Sequence, residues 1–128
     1  MIESLFLVTV VVPEYEEGLD FFVRVLGFTL VEDTPVPEQA KRWMVVAPRG
    51  SGGARVLLAR ASTPEQVARI GDQTGGRVGF FLRTTDFDAD YQRLRAQGVT
   101  FVRPPVKQPY GTVAVFRDPW GNLWDLVG

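Results

Sequence analysis

Two residue types that carry much of enzyme chemistry are missing from this sequence, which contains no cysteine and no histidine. Without cysteine there are no thiol nucleophiles, disulfides or thiolate metal ligands. Without histidine the chain lacks the commonest general base and the commonest ligand of transition metals, so Ser-His-Asp catalysis is excluded. Any acid–base catalysis is therefore left to carboxylates, tyrosine and lysine.

Long hydrophobic runs and an excess of charge of one sign are also lacking. The longest apolar run, Leu5–Val12, contains a threonine and is too short to span a bilayer. The 14 Lys and Arg residues and 15 Asp and Glu residues give a net charge of −1, without the basic excess typical of nucleic-acid-binding proteins. No charged-then-apolar leader opens the sequence. We therefore expect a cytoplasmic protein with no nucleic-acid partner and no membrane association.

The 128 residues, 45% of them hydrophobic, fit one domain over 1–128 that folds without metal or disulfide staples. An apolar stripe of helical spacing runs over Tyr15, Leu19 and Phe22, and a second helix is predicted from Asp86 to Gly98. Alternating or continuous apolar segments separated by Pro- and Gly-rich turns predict strands at 5–12, 28–32, 42–47, 55–59, 77–84, 99–103, 112–117 and 123–127, with loops at 33–40, 48–54 and 104–111.

The two halves of the sequence repeat each other. Tyr15, Leu19 and Phe22 lie 72 positions before Phe87, Tyr91 and Leu94, and after the helices the offset becomes 71, as between Gly27 and Gly98. The repeat predicts an α+β fold of two βαβββ modules, about 1–60 and 77–128, joined by a short helix near 64–70. With helices on one side of each sheet, the two free faces are expected to curl around a cleft.

A duplicated βαβββ module with these motifs resembles the vicinal oxygen chelate superfamily, which includes glyoxalases, bleomycin-resistance proteins and extradiol dioxygenases. The resemblance covers nearly the whole chain and implies that superfamily's fold, but it does not by itself imply one activity. The segments that carry it are VTVVVPEYEEGLDFFVRVLGFTLVED (8–33), TTDFDADYQRLRAQGVTFV (84–102) and YGTVAVFRDPWGNLWDL (110–126).

The resemblance also implies where a metal would be bound. Enzymes of the superfamily use four ligands, usually His, Glu or Gln, His and Glu, from the first and last strand of each module. Those positions correspond here to Leu7, Gly79, Asp125 and a residue near Leu57. One carboxylate cannot replace four ligands. We therefore expect no metal and no other cofactor.

Strand alternation predicts which side chains line the cleft. Asp125 is expected there either as a hydrogen-bond acceptor or charge partner for a ligand, a cationic one included, or as a carboxylate paired with an arginine or a backbone donor. Gly79 lies inside a strand, where glycine often marks the close approach of a ligand or of another backbone. The predicted ligand-binding residues are Leu7, Thr9, Leu57, Gly79, Phe81 and Asp125, with Trp43, Tyr110 and Phe116 nearby as aromatic walls.

These observations favour a metal-independent protein that binds an apolar or aromatic small molecule, because apolar residues at the positions of the metal ligands would line an apolar pocket. Exposed sheet edges favour a homodimer. One alternative is an enzyme of the superfamily, a lyase, isomerase or dioxygenase with an atypical or absent metal site, in which Asp125 and Tyr110 are the candidate catalytic residues. Another is an interaction domain without a small ligand.

Overall fold

A computed structural model describes residues 1–50 and 52–128. It divides into two compact units, Met1–Arg69 and Ile70–Gly128. Each unit contains one four-stranded sheet and the order strand, helix, strand, strand, strand. The expected α+β class and the two βαβββ modules are therefore confirmed. In the part of the chain described, no helix is long and apolar enough to cross a membrane.

The first unit forms a sheet of strand order β1-β4-β3-β2. Strand β1 pairs in parallel with β4, and the other neighbours pair antiparallel. Its elements are β1 (Leu7–Val12), α1 (Tyr15–Leu19), a π-helical continuation (Asp20–Val25), β2 (Thr29–Val36), a 3-10 turn (Pro37–Gln39), β3 (Lys41–Ala47), β4 (Arg55–Arg60) and the short α2 (Pro64–Val67).

The second unit repeats this arrangement with the strand order β5-β8-β7-β6. Strand β5 pairs in parallel with β8, and the remaining pairs are antiparallel. Its elements are β5 (Val78–Arg83), α3 (Phe87–Ala96), β6 (Thr100–Gln108), β7 (Gly111–Arg117) and β8 (Leu123–Val127).

Each sheet is most deeply buried on one face, although Val45 and Val115 on the opposite faces are also only 4% and 3% exposed. In the first unit the fully buried strand residues are Val10, Val12, Met44, Val46 and Leu58, all at alternate strand positions. In the second unit Trp124 stacks on Phe116, and Phe116 contacts Phe101, whose ring lies against Tyr91 of α3. These buried faces, which we call the helix faces, leave the opposite face of each sheet as an open face.

The helix ends follow the sequence signals. The Thr63 hydroxyl accepts a hydrogen bond from the Gln66 amide, and the Asp86 carboxylate accepts one from the Ala89 amide. Gly27 and Gly98, which follow the two long helical segments, have φ of 82° and 88°. The continuation of α1 as a π-helix was not predicted, because π-helical segments are rare and are not favoured by the i, i+3, i+4 apolar pattern that predicts an α-helix.

Both outer strands are longer than the sequence predicts. Strand β2 continues through Val36 and β6 continues through Gln108, where loops were expected at 33–40 and 104–111. Pro104 and Pro105 are tolerated because β6 lies at the edge of its sheet and because its pairing with β7 is interrupted between Arg103 and Val106. The predicted turn at 48–54 includes Ser51, which lies outside the described residues.

Candidate functional site

A row of four residues crosses the open face of the second sheet. Phe81 pairs with Asp125, Asp125 with Val115, and Val115 with Arg103, so the four side chains occupy one line across β5, β8, β7 and β6. The neighbours of Asp125 along its strand, Trp124 and Leu126, are buried on the helix face. We call Phe81, Asp125, Val115 and Arg103 the second-sheet row.

Asp125 is the chemically distinctive member of this row. Partial burial removes water from its carboxylate and raises its pKa, and the positive charge of Arg103 opposes that rise. Within 1–50 and 52–128, no hydrogen bond or ion pair to this carboxylate is made. The carboxylate is therefore available to a hydrogen-bond donor from outside the chain, as one of the two alternatives for Asp125 requires.

Phe81 places a large apolar surface beside that carboxylate. Its side chain is 67% exposed although it lies in the middle of a strand. An exposed phenylalanine on a sheet offers a flat surface on which a planar ligand can stack. The row thus combines an aromatic face, an acceptor and a cation.

The first sheet carries a corresponding row. Thr9 pairs with Leu57, Leu57 with Val45, and Val45 with Glu32. Leu7 lies two residues before Thr9 on the same face of β1, and Trp43 lies two residues before Val45 on the same face of β3. Leu7, Thr9, Trp43 and Leu57 therefore all lie on the open face of their sheet, as the alternation predicts. That they share one cavity with Phe81 and Asp125 stays a prediction.

The prediction for Phe116 was wrong about the face. Phe116 pairs with Trp124 and is fully buried against Trp124 and Phe101 on the helix face. The neighbouring Val115 takes the place on the open face. Phe116 therefore belongs to the core of the second unit.

The packing that favours glycine at position 79 differs from the predicted close approach of a ligand or of another backbone. Val78 pairs with Leu123 and Phe80 with Trp124, so Gly79 is an extra residue at a bulge in β5. A Cβ at this position would lie 2.8 Å from Cγ2 of Thr74. The space beside Gly79 is filled by a threonine of the same unit, and a bulky substitution there would test packing as much as binding.

Tyr110 does not lie next to Asp125. It lies in the two-residue turn between β6 and β7 and is 70% exposed. Val115, the neighbour of Asp125, lies five positions after Tyr110, a distance of about 17 Å along an extended strand. The two candidate catalytic residues therefore do not form an acid–base pair within this unit.

The donor set does not fit the metal site of the superfamily. Leu7 and Leu57 carry hydrocarbon side chains and Gly79 carries none, so three of the four implied positions have no side-chain donor atom. In the described residues, no three His, Cys, Asp or Glu side chains come together in a way that could hold a metal ion. The absence of a metal from the native protein remains a prediction.

The carboxylate that organises the start of β8 was missed by sequence reasoning. Asp118 is only 2% exposed, and its Oδ1 accepts hydrogen bonds from the amides of Trp120, Gly121 and Asn122 at 3.1, 2.9 and 2.9 Å. Its Oδ2 accepts hydrogen bonds from Asn122 Nδ2 and Trp124 Nε1. The signal was Asp before Pro-x-Gly-Asn, since an aspartate commonly bonds the backbone of its own turn.

A separate cavity of about 380 Å³ lies in the first unit, beside Tyr15. Arg42 lies over the Tyr15 ring and donates hydrogen bonds to Asp33 and Glu16. Arg60 lies 5.5 Å from the centre of the same ring and 3.8 Å from Glu14. The arginines and glutamates that line this cavity are paired with one another or with Asp33, so it is a weaker candidate than the second-sheet row.

The pKa of Asp125 predicts a pH-dependent gain in stability when the carboxylate is removed. An acid whose pKa is raised on folding stabilises the folded state at low pH, and this contribution is lost as the pH rises from near 3.8 through the folded value. Asp125→Asn is therefore expected to melt at a higher temperature than the wild type at pH 7, with the difference shrinking toward pH 4. Thermal melts across this range measure it, with the exposed Asp88→Asn as a control that gives no gain. A lower melting temperature for Asp125→Asn at pH 7 would contradict the assignment.

Comparisons with known proteins agree with this architecture. A sequence profile of the Glyoxalase/Bleomycin resistance protein/Dioxygenase superfamily matches residues 4–126. A protein of Shewanella frigidimarina is 56% identical over 127 residues, which cover 99% of this chain and 94% of the relative. The Bacillus subtilis protein YurT is 32% identical over 93% of this chain and 94% of its own length.

Solved structures resemble the chain over nearly its full length. UcmS2 is 34% identical, with a TM-score of 0.84 and coverage of 99% of this chain and 98% of its own. TnmS3 of Streptomyces sp. CB03234, described as an antibiotic binding protein, is 35% identical, with a TM-score of 0.78 and coverage of 98% and 95%. The sequence match, the identity to these proteins and the duplicated module together show that the chain belongs to the Glyoxalase/Bleomycin resistance protein/Dioxygenase superfamily.

Proposed function

We propose that this protein is a metal-independent small-molecule-binding protein that holds an apolar or aromatic ligand against the open face of its second sheet. The observation that carries the proposal is the half-buried Asp125 carboxylate, without a hydrogen-bond donor in the described chain, next to the exposed ring of Phe81. Burying a carboxylate without a partner is costly, so a ligand that donates a hydrogen bond lowers that cost.

Two further observations support the proposal. The positions at which metal ligands occur in the superfamily carry hydrocarbon or no side chain at Leu7, Leu57 and Gly79, which suits an apolar ligand better than an ion. TnmS3, which is 35% identical, is an antibiotic binding protein. The proposal includes a cytoplasmic homodimer, in line with the exposed sheet edges.

Fluorescence titration with N-phenyl-2-naphthylamine, an aromatic probe with one N–H donor, tests the proposal. Wild-type protein is expected to bind the probe saturably. Phe81→Ala is expected to raise the dissociation constant about tenfold, because it removes the stacking surface. Asp125→Ala is expected to raise it as well, because the N–H donor loses its acceptor.

Val67→Ala is the matched control, since Val67 is an apolar residue, 56% exposed, that lies in α2 and not in a strand of either sheet. It is expected to leave the dissociation constant unchanged. The proposal is wrong if the wild type does not bind the probe, or if Phe81→Ala and Val67→Ala bind it equally well. Circular dichroism of each variant checks that the fold is retained.

A further inference from the structure

The two sheets carry a β-bulge at the same place of the repeat. In the first sheet Leu30 pairs with Val46 and Glu32 with Val45, so Val31 is an extra residue. In the second sheet Phe101 pairs with Phe116 and Arg103 with Val115, so Val102 is the extra residue. Val31 and Val102 are 71 positions apart, the same offset that relates the halves after their helices.

The bulge decides which side chain of the outer strand reaches the open face. Phe101 lies on the helix face, so in a regular strand Val102 would oppose Val115 on the open face and Arg103 would return to the helix face. With the extra residue, Arg103 takes the open position opposite Val115. Bulges commonly re-aim a side chain beside a functional site.

Arg103 is exposed and, like Asp125, makes no hydrogen bond or ion pair in the described part of the chain. The two residues lie two strands apart, about 10 Å between their backbones, with the apolar Val115 between them. The open face therefore presents a ring, an acceptor and a cation in that order, with the buried Val115 between the acceptor and the cation. A ligand that satisfies these three positions carries an aromatic body, an N–H or O–H donor and an acidic group.

We propose that Arg103 is a specificity-determining residue that selects aromatic ligands bearing an acidic group, while Asp125 accepts a hydrogen bond from a donor on the same ligand. This inference rests on the proposed function, because it uses the same open face. The guanidinium suits a carboxylate, sulfonate or phosphate, since its planar fork donates two parallel hydrogen bonds to oxygens of such groups.

Two probes that differ only in their substituents separate this inference from the proposed function. 6-(p-Toluidino)naphthalene-2-sulfonate carries an aromatic body, an N–H donor and a sulfonate at the far end of the naphthalene. N-phenyl-2-naphthylamine has the same ring system and donor without the acid. Wild-type protein is expected to bind the sulfonate about tenfold more tightly than the neutral probe, because only the sulfonate reaches Arg103.

The substitutions Arg103→Gln and Arg103→Lys then test the residue itself. The glutamine variant is expected to lose the tenfold preference for the sulfonate while its affinity for the neutral probe stays unchanged. The lysine variant is expected to retain most of the preference, because it keeps the charge but not the bidentate geometry. Lys107→Gln is the matched control: Lys107 lies on the same strand with the same charge, opposite Thr112 on the other face. It is expected to change neither affinity.

The outcomes are distinguishable. If the neutral probe binds and depends on Phe81 while Arg103→Gln changes neither affinity, the proposed function stands and the role of Arg103 is wrong. Equal losses in Arg103→Gln and Lys107→Gln also overturn it, because they would reflect general charge attraction. If the wild type binds neither probe, both the proposed function and this inference are wrong.

Discussion

Asp118→Ala is expected to lower the free energy of unfolding by about 4 kcal/mol, more than any other single substitution considered. The carboxylate is buried and accepts five hydrogen bonds from the turn 118–122 and from Trp124. Its removal leaves the amides of a tight turn and an indole N–H without their acceptor. The ends of β7 and β8 are joined by this turn, so strand pairing next to Asp125 depends on it.

Urea unfolding measures the effect, because Trp120 and Trp124 report on the second unit by fluorescence. Asp118→Asn keeps the volume and one acceptor oxygen but turns an amide toward Asn122 Nδ2 and Trp124 Nε1, and it is expected to cost about 2 kcal/mol. Asp88→Ala, an exposed acid in the first turn of α3, is the control and is expected to cost only about 0.5 kcal/mol. An unfolding midpoint for Asp118→Ala equal to that of the control would contradict the assignment.

Gly71→Ala is expected to cost about 3 kcal/mol. Gly71 has φ of 73°, and a Cβ at this position would lie 1.8 Å from the carbonyl oxygen of Trp120. The substitution therefore combines a strained backbone with a collision between two backbone segments, which no side-chain rotation can relieve. The segment after α2 would be pushed off the turn that Asp118 organises.

Gly75→Ala introduces the backbone strain of the left-handed region without a collision, so it is the control for Gly71→Ala. Gly75 has φ of 65°, similar to that of Gly71, but a Cβ there meets nothing within 4 Å. It is expected to cost about 1 kcal/mol, the ordinary penalty of the left-handed region for alanine. The difference in unfolding midpoint between the two variants measures the close approach, and equal midpoints would show that the two backbones are not in contact.

The fold could be predicted from the sequence because its signals are local and occur twice. The helix stripes over Tyr15 and Phe87, the glycines that end the helices and the strands β3, β4, β7 and β8 all follow from periodicity and turn residues. The full length of β2 and β6 could not be predicted, because edge strands tolerate prolines and charged residues that elsewhere mark loops.

Part of the candidate site could be predicted because strand alternation, like helical periodicity, is a local signal. Alternation places Thr9, Leu57 and Asp125 on open faces because the pairing of β1 with β4 is regular and that of β8 with β5 is regular from Trp124 to Val127, and Phe81 follows from its pairing with Asp125 beyond the bulge at Gly79. Alternation fails across a β-bulge, because one extra residue moves the side chains of the following residues to the opposite face of the sheet. Nothing in the sequence marks Val31 or Val102 as an extra residue. Arg103 was therefore not among the predicted ligand-binding residues. Phe116 was named as an aromatic wall because it is aromatic, without an argument for its face, and it is a core residue.

The matching bulges have a consequence for the ancestry of the molecule. An extra residue at Val31 and another at Val102, 71 positions apart, need two separate insertions if the halves acquired them independently, but only one if a single ancestral module already had it. The single insertion is the simpler history. The two outer strands still differ in detail, since the pairing of β6 shifts a second time between Arg103 and Val106 and that of β2 shifts once. The residue after the matching bulge is acidic in one half, Glu32, and basic in the other, Arg103, so the same backbone feature presents opposite charges.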